Sequence, residues 1–179
     1  MKKAGVVALM SLVYGVGCMH SKMASLPTAT INLEPRSGSS ASGTVSLTQM
    51  DDGQVKVAVE LSGLTPGRHG FHVHEKGDCS APDATSAGAH FNPSSAPHGG
   101  PSDGSHHSGD FGNVTADASG RARMEFTTRS ITVTEGPQSI TGRAFLVHAD
   151  PDDLTSQPAG NSGARILCGV ATMMAGSMN

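Results

Sequence analysis

The chain has 179 residues, a formal net charge of −3 and only 3% aromatic residues. This length allows one domain with a hydrophobic core, and a net negative chain does not have the charge of a nucleic-acid-binding protein. Because aromatic residues are so few, we expect a core of Val, Leu, Ile, Ala and Met in which aromatic packing contributes little.

Residues 1–17 have the pattern of an export signal peptide. Lys2 and Lys3 give a positive start, an apolar stretch runs from Ala4 to Val13, and small residues precede Cys18. The apolar stretch is shorter than the roughly 20 residues that a membrane-spanning helix needs. We therefore expect export to the periplasm or cell envelope.

Residues 18–27 are expected to form a tether. Cys18 lies where bacterial lipoprotein signals place the cysteine that receives a lipid, and lipidation would explain an odd third cysteine in an exported chain. Gly15 departs from that signal, which usually has Leu, Val or Ile at this position. We expect a lipid anchor at Cys18, and ordinary cleavage that releases a soluble protein is the alternative.

The region from residue 28 to residue 172 consists of short apolar or alternating runs separated by turn residues. The clearest run is Gln54 to Leu61, which alternates as a half-buried antiparallel strand does. The other runs are Thr28 to Glu34, Gly43 to Met50, Gly70 to His74, Gly112 to Ala116, Ala122 to Thr127, Ile131 to Thr134, Arg143 to His148 and Arg165 to Thr172. No long segment has a helical period, so the pattern predicts an all-β sandwich or flattened barrel.

Two long irregular segments interrupt these runs, Lys76 to Phe111 and Ala149 to Ala164. Loops of this length in a compact domain are usually functional or disordered. The first loop is rich in Gly, Ser, Pro, Asp and His, and it contains Cys79, His90, His98, His107 and Asp110. Metal ions and a disulfide could order such a loop, and we interpret it as a site loop.

The run Gly70 to His74 contains His72 and His74, two residues apart. Residues two apart in a strand project from the same face, so both imidazoles point one way and Val73 points the other. Two histidines on one face form half of a metal site. His69 precedes His72 by three residues, and we interpret it as a hydrogen-bonded structural histidine.

The remaining candidate ligands are His90, His98, His107 and Asp110 in the first loop and His148 at the end of a later run. A solvated histidine-rich loop is the alternative for any one of them. Taken together, they are placed where strand ends or an ordered loop can aim them at a metal ion. His106 precedes His107 and is expected to face solvent.

Six short motifs follow one another along residues 28–172. They are Gly70 to Glu75, His90 to Pro93, His98 to Pro101, His107 to Asn113, His148 with Asp152 and Asp153, and Gly160 to Arg165 continuing to Cys168 and Gly169. In this order they resemble the copper/zinc superoxide dismutase family, and the resemblance covers nearly all of Thr28 to Thr172. One such motif would be weak evidence, whereas six in the family's order are specific.

The resemblance implies an eight-stranded Greek-key β-barrel or sandwich, immunoglobulin-like, with two long functional loops. It assigns copper to His72, His74, His90 and His148, and zinc to His90, His98, His107 and Asp110, with one ion of each kind per subunit. It further implies that Asp152 links His72 and His98, that Cys79 and Cys168 form a disulfide, and that Arg165 guides superoxide. Four imidazoles suit Cu(II), and three imidazoles with a carboxylate suit tetrahedral zinc.

The implied activity is superoxide disproportionation, with His90 bridging the two ions and acting as a proton donor. The expected partners are superoxide, no nucleic acid, and a membrane only through Cys18, in a monomer or homodimer. One rival is a copper-delivery module, for which Met173, Met174 and Met178 in the flexible tail 173–179 offer soft sulfur ligands. A second rival is a structural domain that kept the fold without activity.

Overall fold

The computed structural model describes Met1 and residues 26–172 of the chain, and its regular structure is almost entirely β. The strands are β1 Thr28–Pro35, β2 Ser42–Gln49, β3 Val55–Ser62, β4 Gly67–His74, β5 Asp110–Ala116, β6 Ala122–Thr128, β7 Ala144–His148 and β8 Arg165–Val170. One short 3-10 helix, Thr85–Ala87, lies in the loop between β4 and β5.

The eight strands form a closed antiparallel barrel in the order β1-β2-β3-β6-β5-β4-β7-β8. Strand β3 pairs with β6, and β4 lies between β5 and β7, so the connections cross between non-consecutive neighbours. This arrangement confirms the predicted eight-stranded Greek-key barrel. It also pairs β4 with β5, which follows the first long loop, and with β7, which precedes the second.

Strand β3 shows why the alternating pattern predicted the barrel correctly. Val55, Val57, Val59 and Leu61 are buried, whereas Lys56 and Glu60, which lie between members of this series, are exposed. Successive side chains of a strand point to opposite faces, so one face packs into the barrel and the other meets water. Burial of such apolar surface is the main favourable contribution to folding.

The barrel interior corrects the expectation that aromatic packing contributes little. Phe71, Phe111, Phe126 and Phe145 form one cluster, with ring centroids 5.2 to 6.4 Å apart. Phe71 lies on β4, directly before His72. The few aromatic residues are therefore concentrated beneath the strand that carries the two histidines, where their bulk fixes the position of that strand.

The run Ile131 to Thr134 was expected to be a strand, and this prediction is wrong. Ile131 and Val133 are buried, but the backbone of this run makes only an isolated bridge between Thr132 and Ser139. The side-chain oxygen of Gln49 accepts hydrogen bonds from the Val133 amide, at 3.0 Å, and from the Thr132 hydroxyl, at 2.7 Å. A side-chain amide thus replaces the partner strand that the run would need.

A disulfide between Cys79 and Cys168 joins the β4–β5 loop to strand β8, with a Cα–Cα distance of 5.9 Å. This pairing confirms the expected disulfide. Cys168 packs with Ala84, Ala87, Ala144 and Leu146 in a small apolar cluster outside the main core. The cluster and the disulfide together hold the first half of the long loop against the barrel.

Several sequence expectations lie outside the described residues. They are the export signal 1–17, lipidation of Cys18, nearly all of the tether 18–27, and the tail 173–179 with its three methionines. Among the residues that the structure describes, no helix is long and apolar enough to cross a membrane.

Candidate metal centre

Strand β4 supplies two buried histidines to one side of the barrel wall. His72 pairs with Leu146 and His74 with Ala144 of β7, while Val73 between them is buried in the main core. Every residue from His69 to His74 is buried, so the histidine face of the strand is covered by the long loops rather than by solvent. A strand buried on both faces is a rigid support for a site.

The β4–β5 loop returns to the end of β4 and places His90 beside His74. The Phe91 amide donates to the Val73 carbonyl at 2.8 Å, and the Val73 amide donates to the Gly109 carbonyl at 2.9 Å. A Cβ atom at Gly109 would overlap the Val73 carbonyl, so only glycine permits this approach. These backbone bonds fix His90 at the strand end.

Two groups of side chains converge where the loops meet the barrel. His72, His74, His90 and His148 form the first, and His90, His98, His107 and Asp110 form the second. In each group the candidate ligand atoms lie within 4.8 Å of one another, and every residue is buried. The structure therefore brings together both sets that the sequence predicted, and His90 belongs to each. Hereafter they are called the first donor set and the second donor set.

His90 directs its two ring nitrogens towards different sets. Its Nδ1 lies 2.8 Å from Asp110 Oδ1 on the side of the second set. Its ring centroid lies 4.1 Å from that of His72 and 4.9 Å from that of His74, on the other side. An imidazole offers one nitrogen on each side of its ring. His90 therefore offers one ring nitrogen to each donor set.

Among residues 26–172, five buried ring nitrogens have no hydrogen-bond partner. They are His72 Nδ1, His74 Nε2, His90 Nε2 and His148 Nε2 of the first donor set and His98 Nδ1 of the second. Buried polar atoms in proteins are nearly always partnered, and neutral imidazole nitrogens are common ligands of copper and zinc. Four of these atoms come from the four residues of the first set and one from the second set, and their lack of partners shows that the donor sets fit metal ions.

The protonation of the histidines also favours metal binding. Burial lowers the pKa of His148 to about 4, and burial with the neighbouring His90 lowers the pKa of His72 and His74 well below the usual value. Burial lowers the pKa of His107 as well. Near neutral pH these rings are therefore neutral and carry a free lone pair, as a metal ligand requires.

Asp110 is the one carboxylate of the second donor set. Burial alone would raise its pKa, but the hydrogen bond to His90 and the neighbouring histidines bring the pKa below the ordinary value. Its Oδ2 lies 3.1 Å from His98 Nδ1, yet this nitrogen has no hydrogen-bond partner, so the contact lacks hydrogen-bond geometry. Three imidazoles and an ionised carboxylate could hold a metal ion with tetrahedral coordination.

The carboxylate of Asp152 contacts one histidine of each donor set. Its Oδ2 lies 2.8 Å from His72 Nε2 and its Oδ1 lies 3.0 Å from His98 Nε2, and the carboxylate is fully buried. A Cβ atom at Gly160 would overlap Asp152 Oδ1, so glycine lets the second loop close over this carboxylate. Such a partner fixes the tautomer and the orientation of each ring.

Backbone carbonyls hold the other rings, and no sequence pattern indicated them. His74 Nδ1 lies 2.9 Å from the Gly88 carbonyl, and His148 Nδ1 lies 3.3 Å from that of Gly163. His69 Nδ1 lies 2.9 Å from the His148 carbonyl, and its Nε2 lies 2.8 Å from that of Thr65. His69 is thus a buried, hydrogen-bonded residue outside both donor sets, in agreement with the structural interpretation.

Arg165 begins strand β8 and reaches the opening above the first donor set. Its guanidinium donates to the Ala84 carbonyl at 2.7 Å and to the Gly88 carbonyl at 2.8 Å. It lines a cavity of about 390 Å³ together with His74, His90 and His148. Burial lowers its pKa, and the charge of Asp83 partly offsets this effect. The cavity thus combines a cationic group with the imidazoles of the first set.

His106 was expected to face solvent, and the structure places it only half in solvent. Its Nδ1 donates to the His107 carbonyl at 2.7 Å, and its ring belongs to neither donor set. His107, and not His106, belongs to the second donor set.

The barrel carries two adjacent donor sets that share one histidine and that could each hold a metal ion. The family model for copper/zinc superoxide dismutase matches residues 41–171, and the chain belongs to this family. The solved crystal structure of the clock protein EA4 is similar over 87% of this chain and 100% of that chain, at 38% identity and a TM-score of 0.76.

The position of Asp152 predicts the effect of Asp152→Asn on metal binding. An asparagine offers one acceptor oxygen instead of two, so one ring loses its partner, and affinity should fall roughly 10- to 100-fold. Competition titrations with chelators would measure the affinity for Cu(II) and Zn(II). Asp150→Asn is the matched control, because the Asp150 carboxylate accepts no hydrogen bond within residues 26–172. Unchanged affinity of the Asp152 variant for both ions would contradict the assigned role.

Proposed function

We propose that the protein is a superoxide dismutase that disproportionates superoxide to dioxygen and hydrogen peroxide. The first donor set would hold copper and the second would hold zinc, with one ion of each per chain. The observation that carries this proposal is the sharing of His90 between two buried donor sets. Membership of the copper/zinc superoxide dismutase family supports it.

Copper, when bound, supplies the one-electron chemistry by which one superoxide is oxidised to dioxygen and a second is reduced to hydrogen peroxide. The protein contributes binding, orientation and protons. His72, His74, His90 and His148 present one unpartnered ring nitrogen each. The phenylalanine cluster around Phe71 fixes strand β4, and with it His72 and His74, in position. Rigid placement of this kind keeps ligand geometry constant during turnover.

Superoxide is a small anion, and Arg165 is the cation that lines the cavity above the first donor set. Its two hydrogen bonds to main-chain carbonyls aim the guanidinium without neutralising it. Residues Leu154 to Ala164 of the second loop contain no charged side chain. Attraction of the anion therefore depends on Arg165 and the bound ions. Arg68 and Lys76 are the other cations that could contribute to the field.

Arg68 belongs to a different face. It lines a separate cavity with Pro101, Phe111 and Leu154, whereas Arg165 lines the cavity above the donor set. This separation favours Arg165 as the main guiding group.

His90 has a second role in the proposed reaction. Its Nδ1 faces Asp110, while its Nε2 has no hydrogen-bond partner and its ring lines the cavity that Arg165 also lines. Nε2 can therefore hold a proton and deliver it to an anion bound in that cavity. The second donor set would keep the ring in place while the proton moves.

We further propose that the protein is exported and attached to a membrane through a lipid on Cys18. The residues before Cys18 support this proposal by their charge, their apolar stretch and their small side chains. Cys18→Ser should leave the precursor unprocessed or move the mature protein out of the membrane fraction, as measured by cell fractionation and mass spectrometry. A wild-type protein found wholly in the soluble periplasmic fraction would contradict lipidation.

The shared histidine predicts the outcome of His90→Ala. Loading with both ions should give a wild-type protein that consumes superoxide, and the variant should lose this activity together with magnetic coupling between the sites. Electron paramagnetic resonance of the protein with Cu(II) in both sites measures the coupling. Retained coupling would refute the bridge, and a fully loaded wild-type protein without superoxide consumption would refute the activity.

The field of Arg165 predicts how the rate depends on salt. Local fields raise association rates by about 10- to 1,000-fold, an effect for which this enzyme family is a reference case. Arg165→Ala should therefore slow superoxide consumption at least tenfold with unchanged metal content, and Arg165→Lys should retain part of the rate. Stopped-flow rates through 0.1 M salt, where the Debye length is about 10 Å, should fall. A rate that rises with salt would show that net repulsion governs capture.

A further inference from the structure

Gln157, in the loop between β7 and β8, forms a two-point clamp on the main chain of His98. Its Nε2 donates to the His98 carbonyl at 2.8 Å, and its Oε1 accepts from the His98 amide at 2.8 Å. The side-chain amide thus pairs with one residue of the second donor set much as a neighbouring strand would. His98 is held at its ring by Asp152 and at its backbone by Gln157.

The residues that follow Gln157 border the approach to the first donor set. Pro158 and Ala159 line the cavity of about 390 Å³ beside His74 and His148, and they line a second cavity of about 630 Å³ as well. Both cavities also include His90 and Arg165. Pro158 and Ala159, called the rim from here on, therefore lie where the two cavities meet.

Few other contacts can hold the rim in place. Within the described part of the chain, Gln157 is the only residue from 154 to 164 whose side chain forms a hydrogen bond outside the β7–β8 loop. The segment has no charged side chain and so makes no ion pair. Asp153 bonds to the amides of Thr155 and Ser156, but Asp153 belongs to the same loop.

We infer that Gln157 is a positioning residue that fixes the rim over the first donor set by fastening it to the main chain of His98. The inference rests on the proposed function, because it concerns access of an anion to that function's copper ligands. Occupation of the second donor set orders His98, and Gln157 transmits that order to the rim. Loss of the clamp loosens the rim and in turn loosens His98.

The test compares Gln157→Met with Gln138→Met in the fully metal-loaded protein. Methionine is close to glutamine in size but cannot pair with the backbone. Gln138 is the control because its side-chain amide makes no hydrogen bond within the described residues. One such hydrogen bond changes an equilibrium about two- to tenfold. The variant loses both bonds to His98 and a third to the Thr155 carbonyl, so deuterium exchange in residues 155–160 should rise at least tenfold. The Gly160 amide, 2.7 Å from the Ser156 carbonyl, is a suitable reporter.

Two further measurements separate positioning from a general structural role. Zinc transfer to a chromogenic chelator should be several-fold faster in the Gln157 variant, because His98 is less well held. Reduction of bound Cu(II) by ascorbate, an anion larger than superoxide, should also be faster, because the rim no longer restricts it. The Gln138 variant should match wild type in all three measurements.

The outcomes distinguish this inference from the proposed function. Wild-type exchange, zinc transfer and ascorbate reduction in Gln157→Met would overturn the inference, whatever the dismutase activity. If only the exchange rises and both other rates stay at the wild-type values, Gln157 stabilises the loop without positioning the rim, and the inference also fails. Deuterium exchange and zinc transfer require no dismutase activity, so both remain decisive if wild-type protein fails to consume superoxide.

Discussion

The structure depends on a concentration of neutral, almost fully buried imidazoles beneath the cavity that Arg165 lines. The first donor set buries four rings whose free nitrogens face no hydrogen-bond partner, and burial disfavours protonation of three of them. Such atoms are costly to bury unless a cation satisfies them. The barrel, the disulfide and the second-loop contacts therefore have to hold the four rings in place around a cation.

The two long loops meet these demands in different ways. The β4–β5 loop is attached covalently through the disulfide of Cys79, and it is also held by backbone hydrogen bonds of Phe91 and Gly109 to Val73. The β7–β8 loop instead uses buried or paired side chains, with Asp152 between two rings and Gln157 on the His98 backbone. A covalent tie and a set of hydrogen bonds thus give the two loops different mechanical supports, although both loops contribute to the position of His98.

Much of this architecture could be predicted from the sequence, because strands and ligand motifs leave local patterns. The alternation of β3 predicted its buried face, and the His72–His74 spacing predicted that both imidazoles share one face of β4. The aromatic cluster could not be predicted, since Phe71, Phe111, Phe126 and Phe145 lie on four different strands and meet only through the strand order. The sequence also could not predict that the run at Ile131 is not a strand, or that Gln157 pairs with His98. In both cases a side chain pairs with a distant backbone, and such pairing leaves no periodic pattern in the sequence.

The position of the disulfide has a consequence for the unfolded chain. Cys79 and Cys168 are 89 residues apart, so their bond closes a covalent ring containing His90, His98, His107, Asp110 and His148. In the chain-entropy model a ring of this size removes about 4 to 5 kcal/mol of unfolded-state freedom. His72 and His74 lie outside the ring. In an oxidised but unfolded molecule, all four residues of the second donor set therefore lie within one covalent ring, which limits how far apart they can move. The first set still has to bring His72 and His74 together with His90 and His148 from outside that ring.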